Sequence, residues 1–290
     1  MTESTVFPRG RVTIVAVLNV TPDSFSDAGR FVRGAPAGGA ERVDVEAAAR
    51  AGLHLLAEGA HVLDVGGEST RPGAAEVPAD VEIARVVPVL EALAKRTDAI
   101  LAIDTRKARV AEAALQAGAR LVNDVSGLRF DPELAEVTAR AGAGLVLGHL
   151  RGVPATMQEH VHFDDVLGEV TAELAGSVHR ARAAGIAPER LAVDPGLGFG
   201  KHLRHNLALL ARLGEIREAL GLPVLVGPSR KSFLGQLTGD PVHARDAATV
   251  AACAVAVFAG ADALRVHDAA AGARAARVAR ALAEARERSS

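Results

Sequence analysis

This sequence predicts an α/β fold: a single (β/α)8 barrel of the TIM type, with its active site at the C-terminal ends of the strands. Three observations carry the prediction. Eight short apolar runs read as strands buried on both faces, the pattern that parallel strands show. Segments with helical spacing and strong helix formers lie between them, and strand–helix alternation implies parallel pairing. Each apolar run ends in a polar cluster, which is where such a barrel assembles its site from the following loops. A chain of 290 residues suits eight of these units. A doubly wound open sheet is the competing architecture, but its glycine-rich fingerprint after the first strand is missing.

The first strand, Val12 to Leu18, is ended by Asn19-Val20-Thr21-Pro22-Asp23, because proline lacks the donor that a ladder requires. His61 to Val65 follows and runs into Gly66-Gly67-Glu68-Ser69-Thr70-Arg71-Pro72-Gly73. Ile100 to Ile103 delivers Asp104-Thr105-Arg106-Lys107, and Leu121-Val122 delivers Asn123-Asp124. Leu145 to Leu147 ends in Gly148-His149, Leu191 to Val193 in Asp194-Pro195-Gly196, and Val224 to Val226 runs on to Ser229-Arg230-Lys231. Ala263-Leu264, followed by Arg265-Val266-His267-Asp268, is the eighth. Helices are expected over Asp80 to Lys95, Lys107 to Gln116, Pro132 to Ala141, Phe163 to Ala183 and Asn206 to Leu220. Several helices close on an Ala-Gly-Ala phrase, as at Ala117-Gly118-Ala119 and Ala259-Gly260-Ala261, where glycine suits the left-handed residue that stops a helix.

No linker or solenoid repeat divides the chain, so one domain over residues 1–290 is expected, with flexible ends at 1–10 and 286–290. Composition that is 49% hydrophobic and 23% charged can bury a sizeable core. A net charge of -2, with no Trp, no Tyr and 8 Phe, offers neither the charge nor the stacking surface for nucleic acid. Cys253 is alone in an apolar helix and reads as core packing; no intramolecular disulfide is possible, which permits a reducing compartment. The amino terminus lacks a signal-peptide pattern and the uncharged run from Ala247 to Ala261 is short for a bilayer, so no membrane partner and a cytoplasmic location are expected. His160 with His162, and His202 with His205, have metal-like spacings that no Cys or acidic partner completes; they read as exposed loop and helix residues. Arg274, Arg277 and Arg280, with Arg286 and Arg288, read as a solvated face of the last helix.

Taken alone, Asp104 and Asp194 read equally well as caps of the helices or turns that follow them. Arg265 and His267, two apart on one strand, leave the same face and can share one anion. What orders these groups is a resemblance that spans nearly the whole chain. Asn19 to Asp27, Asp64 to Gly73, Asp104-Thr105-Arg106, Asn123 to Gly127, Asp194 to Lys201, Ser229 to Gly235 and Arg265 to Asp268 together closely resemble the dihydropteroate synthase family. Seven motifs in order, each at a predicted strand end, make coincidence untenable where one short motif would not.

The resemblance implies a barrel transferase of folate biosynthesis. It would join p-aminobenzoate to a hydroxymethyl-dihydropterin diphosphate and release diphosphate with help from Mg2+, acting as a homodimer and a sulfonamide target. Carried over residue by residue, it assigns the pterin to Asp104, Asn123, Asp194, Phe199 and Lys231, and the diphosphate to Asn19, Thr70, Arg71, Arg265 and His267. Phe25, Thr70, Pro72, Phe199 and Ser232 would frame p-aminobenzoate, and Asn19 would ligate the metal. Asp27, Lys231, Arg265 and His267 would be catalytic, with Asp27 facing the developing cation; the loops Thr21 to Arg33 and Gly66 to Ala79 would close over the substrates. Two related readings compete: a pterin-dependent methyltransferase domain, which would not need the diphosphate cradle, and a catalytically silent pterin-binding paralogue. Two positions depart from the pattern. Gly148 stands where Met usually precedes His149, which implies a gap beside the pterin, and Pro228 stands where Thr is common.

Overall fold

The computed structural model describes residues 6–8, 10–21, 32–33, 42–70, 73–153 and 156–288. Its strands are β1 (Thr13–Asn19), β2 (Val62–Gly66), β3 (Ile100–Asp104), β4 (Leu121–Asp124), β5 (Gly144–Gly148), β6 (Leu191–Asp194), β7 (Leu225–Val226) and β8 (Ala263–Val266). They pair in parallel in the order β6-β5-β4-β3-β2-β1-β8-β7. A parallel bridge between Val193 and Val224, with the Val193 N–H donating to the Pro223 carbonyl at 3.0 Å, brings β6 and β7 together and completes the circle. A separate antiparallel pair, Val32–Arg33 with Arg42–Val43, lies between β1 and the first helix.

The helices are α1 (Val45–Ala57), α2 (Ala79–Ala94), α3 (Ala108–Gln116), α4 (Glu133–Arg140), α5 (Val166–Ala183), α6 (Leu203–Ala211), α7 (Leu213–Leu220), α8 (Ser232–Thr238), α9 (Asp246–Phe258) and α10 (Ala269–Glu287). Among the described residues, no helix is long and apolar enough to cross a membrane. All eight expected strands are present. The expected helix over Asn206 to Leu220 is two, broken at Arg212, whose φ of -127° and ψ of 30° leave the helical region. The break lets α7 dock end-on: Gly214 N donates to the Ala259 carbonyl at the end of α9, at 2.7 Å. Gly118 and Gly260 stop their helices at φ of 108° and 107°, a conformation that L side chains rarely adopt.

Strand periodicity sorts the interior into two cores. Ile14, Ala16, Leu18, Leu63, Val65, Ile103, Val122, Val193 and Leu264 face outward and pack beneath the helices. Val15, Val62, Ala102, Leu121, Val146, Ala192, Leu225 and Ala263 point inward and fill the barrel. Val6 and Phe7 belong to this inner cluster; Phe7 is 1% exposed, and the Val6 N–H donates to the Glu189 carbonyl at 2.8 Å. Within the stretch 1–10, expected to be a flexible end, these two described apolar residues pack into the barrel interior. At the other end, α10 runs through Arg286 and Glu287. Arg274 and Arg277 are exposed and Arg280 pairs with Glu284, as a solvated face requires. Cys253 is buried, and burial pushes its thiol up to about 12.

Candidate active site

One step further along each strand, inward parity places polar groups above the apolar layer. Asp64 follows Val62 by two residues, Asp104 follows Ala102, Asn123 follows Leu121, Asp194 follows Ala192 and Arg265 follows Ala263. The barrel's carboxyl end is therefore floored by acids, an amide and one guanidinium. Arg265 bridges two of the acids: Nε donates to Asp64 Oδ2 and Nη2 to Asp104 Oδ2, each at 2.6 Å. Asn123 Nδ2 adds a bond to Asp64 Oδ2 at 2.9 Å. The remaining oxygens, Asp64 Oδ1 and Asp104 Oδ1, are buried and accept no hydrogen bond among the described residues. Buried acceptors without donors are costly, so these two are held ready for donors from outside.

Asn19 ends β1 beside Gly66 and Asp104. A Cβ placed on Gly66 would lie 3.2 Å from Asn19 Oδ1 and 3.8 Å from Asp104 Oδ2, so the glycine keeps a small cradle open between an amide oxygen and a carboxylate. Across the mouth, Asp194 Oδ1 accepts from the Gly196 N–H at 2.7 Å, and the Lys231 ammonium stands 3.8 Å from the centre of the Phe199 ring. Burial raises the Asp194 pKa, with Lys231, Arg265 and Lys201 pulling the other way. Ser229 Oγ and His267 Nδ1 are 2.9 Å apart, which ties the β7 loop to the end of β8. Ser232 is the first residue of α8 and is exposed; Thr70 is half-buried two residues beyond Glu68.

The structure therefore gathers Asn19, Asp104, Asn123, Asp194, Phe199, Lys231, Arg265 and His267 at one end of the barrel. Phe25, Asp27, Arg71 and Pro72 lie outside the described residues. The gap expected at Gly148 is absent. A Cβ there would fall 2.6 Å from Val125 Cα, so the β4 loop backbone already fills the space. His205 was expected to be exposed; it is buried, bonds the His202 N–H through Nδ1 at 3.2 Å and packs edge-on against Phe163. Among the described residues, no three His, Cys, Asp or Glu side chains are grouped to hold a metal.

Three further features escaped sequence reasoning. Asp64 is a site residue that the motifs do not single out, although inward parity along its strand is readable. Glu68, Arg106, Lys107 and Glu82 form a buried ionic cluster at the stem of the Gly66 to Ala79 loop: Lys107 Nζ reaches Glu82 Oε2 at 2.7 Å, Glu68 Oε1 at 3.0 Å and the Val77 carbonyl at 2.6 Å. Glu68 Oε1 also accepts from the Val77 N–H at 2.8 Å, and Arg106 Nε reaches Glu68 Oε2 at 3.3 Å. The third is a relay behind Asp194. Glu173 on α5 holds His149 Nε2 at 3.1 Å, and His149 Nδ1 faces Lys201 Nζ at 2.9 Å. Glu173 is also held by Arg129 and by Arg151, whose Nε lies 2.9 Å away; bonding to His149 and Arg151 keeps its carboxyl far below the usual range. Burial, then Lys201, lowers His149 to about 4, so the neutral ring donates through Nε2 and accepts through Nδ1. No local pattern announces that a helix residue such as Glu173 will meet a strand end.

Burial drives two of these groups toward neutrality from opposite sides. Asp104 is raised from 3.8 to about 7 by burial, against Arg265 and with help from Asp64. Lys201 is lowered from 10.5 to about 7 by burial, against the attraction of Asp194. Between the unfolded and folded values of Asp104, the folded chain holds a proton that the unfolded chain has lost, so this contribution to stability falls as pH rises toward 7. Above 7, folded Lys201 has released a proton that the unfolded chain keeps, so its contribution rises with pH. The two together dig a trough near neutrality. Urea titrations at acid, neutral and alkaline pH should show Asp104→Asn flattening the acid limb and Lys201→Met the alkaline limb.

Comparison with known proteins places this arrangement in context. The sequence matches the family described as "Pterin binding enzyme" over residues 15–267. It is 42% identical to the dihydropteroate synthase of Synechocystis over 280 residues, 96% of this chain and 93% of that protein. The Yersinia pestis dihydropteroate synthase, solved as a complex with a sulfonamide drug, superposes with a TM-score of 0.86 at 42% identity, covering 94% of each chain. The Xanthomonas albilineans enzyme in complex with 7,8-dihydropteroate gives a TM-score of 0.79 at 40% identity, again over 94% of each chain.

Proposed function

The chain belongs to the dihydropteroate synthases, within the pterin-binding enzymes, and from that premise we propose how its residues divide the work. The reaction condenses p-aminobenzoate with hydroxymethyl-dihydropterin diphosphate to give dihydropteroate and diphosphate, a step of folate biosynthesis. The silent-paralogue and methyltransferase readings give way to it. The observation that supports the division of labour is the pair of buried oxygens Asp64 Oδ1 and Asp104 Oδ1, which accept no bond among the described residues, with Asn123 beside Asp64.

A pterin presents a row of ring N–H and amino donors, which wants a row of acceptors at the bottom of a shielded site. Asp104 and Asp194 supply the acceptors and orient the ring, Asn123 supplies donor and acceptor from one amide, and Phe199 and Lys231 close over its face. The diphosphate then points toward the ends of β1 and β8. There Arg265, on β8, and His267, just past its end, would meet the anion, and the resemblance adds Thr70 and Arg71 from the stretch after β2. Arg265 already spends Nε and Nη2 on the two aspartates, which leaves Nη1 for the anion.

The oxygen-rich cradle between Asn19 and Asp104 fits Mg2+, which takes oxygen ligands from few protein groups together with substrate phosphates. Asn19 would hold it, and the ion would neutralise charge on the departing diphosphate. The bond from the pterin methylene carbon to the diphosphate oxygen breaks with its electron pair going to that oxygen, leaving a cation conjugated with the ring; the aniline nitrogen then attacks that carbon and releases its proton to solvent. Asp27 faces the cation, while Phe25, Thr70, Pro72, Phe199 and Ser232 frame the aniline. Fixed charges suffice for such a route: one well-placed donor is worth about 10²–10³ in rate. The enzyme works in the cytoplasm as a homodimer.

Calorimetry tests the assignment directly. Asp194→Ala and Lys231→Ala should each weaken binding of the dihydropterin diphosphate at least about tenfold, the order of one lost charged contact. Unchanged affinity in both removes them from the pterin site. Parallel assays with p-aminobenzoate and Mg2+ should show dihydropteroate formed by the parent chain.

A further inference from the structure

Lys201 ends the Asp194 to Lys201 turn, is 3% exposed, and has no part in the division of labour above. Among the described residues, no carboxylate forms an ion pair with it. Its ammonium is placed instead on the Phe199 carbonyl at 3.0 Å, the His149 ring nitrogen at 2.9 Å and the His149 carbonyl at 3.4 Å. A buried ammonium with no carboxylate in direct contact, attracted by Asp194 only from farther away, is expensive. Its donors instead fasten the backbone carbonyls of His149 and Phe199.

The turn shows where. Gly196 adopts φ +68°, and a Cβ on it would fall 1.9 Å from the His149 carbonyl; Gly198 adopts φ +82°, with its missing Cβ 3.1 Å from Lys231 Cδ. Gly198 is held from both sides, by Asn206 Oδ1 on its N–H at 2.6 Å and by Gln158 Nε2 on its carbonyl at 2.8 Å. The Phe199 N–H is taken by the Gly196 carbonyl at 3.1 Å. Lys201 holds the Phe199 carbonyl. The Phe199 ring in turn stands against the Lys231 ammonium.

We propose that Lys201 is a positioning residue for pterin recognition: its bond to the Phe199 carbonyl holds the Phe199 ring against Lys231, and the Glu173–His149 pair orients Lys201 for that bond. The proposal rests on the reading that Phe199 and Lys231 cover the pterin. It gives the chain-remote Glu173 a role at the site that its place on α5 does not suggest.

A double-mutant cycle tests it, with the affinity for dihydropterin diphosphate measured by calorimetry on the full chain. Lys201→Met should weaken binding about tenfold, the order expected for one charge-assisted hydrogen bond. Lys201→Arg, which keeps donors, should recover much of the loss. Combined with Phe199→Ala, Lys201→Met should add little further loss, because both act through one ring. If Phe199→Ala weakens binding and Lys201→Met does not, the proposal is wrong while the pterin reading stands. If neither weakens it, the pterin reading fails and takes the proposal with it. Full additivity would show that Lys201 acts elsewhere, and would equally overturn it. Should Lys201→Met fail to fold, Lys201→Gln replaces it in the cycle.

Discussion

Replacing Arg265 with Met is expected to cost both stability and activity, because the guanidinium is the only cation bonded to Asp64 and Asp104 among the described residues. Asp64 is fully buried and Asp104 nearly so. Without the bridge, two carboxylates face one another with one amide from Asn123 on Asp64. Removing one partner of such a buried pair destabilises by about 3–5 kcal/mol, since the charge left behind has no water to turn to. Loss of the anion-facing donor should lower turnover by about 10²–10³. Arg265→Lys keeps the charge but not the fork that spans two carboxylates, so it should recover stability only partly. The deficit should shrink in acid, where the stranded Asp104 carboxyl, already raised by burial, is protonated. Denaturant unfolding and steady-state turnover, compared at neutral and acid pH, check both parts; a Met variant within 1 kcal/mol of the parent would show that the bridge is not a stability element.

Lys107→Met is the second large expected loss, again about 3–5 kcal/mol. The ammonium serves Glu68, Glu82 and the Val77 carbonyl at once. Glu82 is fully buried; burial raises its pKa against the pull of Lys107, and its Oε1 accepts no bond among the described residues. Without Lys107 the Glu82 carboxyl has to protonate to stay inside. Pairing the change with Glu82→Leu should return part of the loss, because a buried apolar pair can replace a buried ionic one. Urea midpoints of the two single variants and the double decide it: an additive double would place Glu82 and Lys107 in separate networks.

Much of this site is legible before any coordinates. The apolar runs state where strands lie, the polar residues after them state which end is functional, and parity along each strand states which side chains look inward. Asp104, Asn123, Asp194 and Arg265 follow from those three rules, and Asp64 follows from them as well. The misread segments share one cause. The break at Arg212, the burial of His205 and the seating of Val6 and Phe7 depend on what a segment packs against, and periodicity within the segment carries none of that. Gly148 shows the same limit: its missing side chain implied a hole until the Val125 backbone was seen to occupy the place.

By itself, then, the sequence determined eight parallel strands, their inward faces and a family of motifs at their carboxyl ends, because backbone periodicity and turn chemistry are local. Only the tertiary structure decided which inward groups meet. Arg265 reaches Asp64 across 201 positions and Asp104 across 161, and Glu173 reaches the mouth from a helix. Such contacts follow from closure of the barrel and from strand stagger, which are properties of the assembled sheet; no single segment contains them.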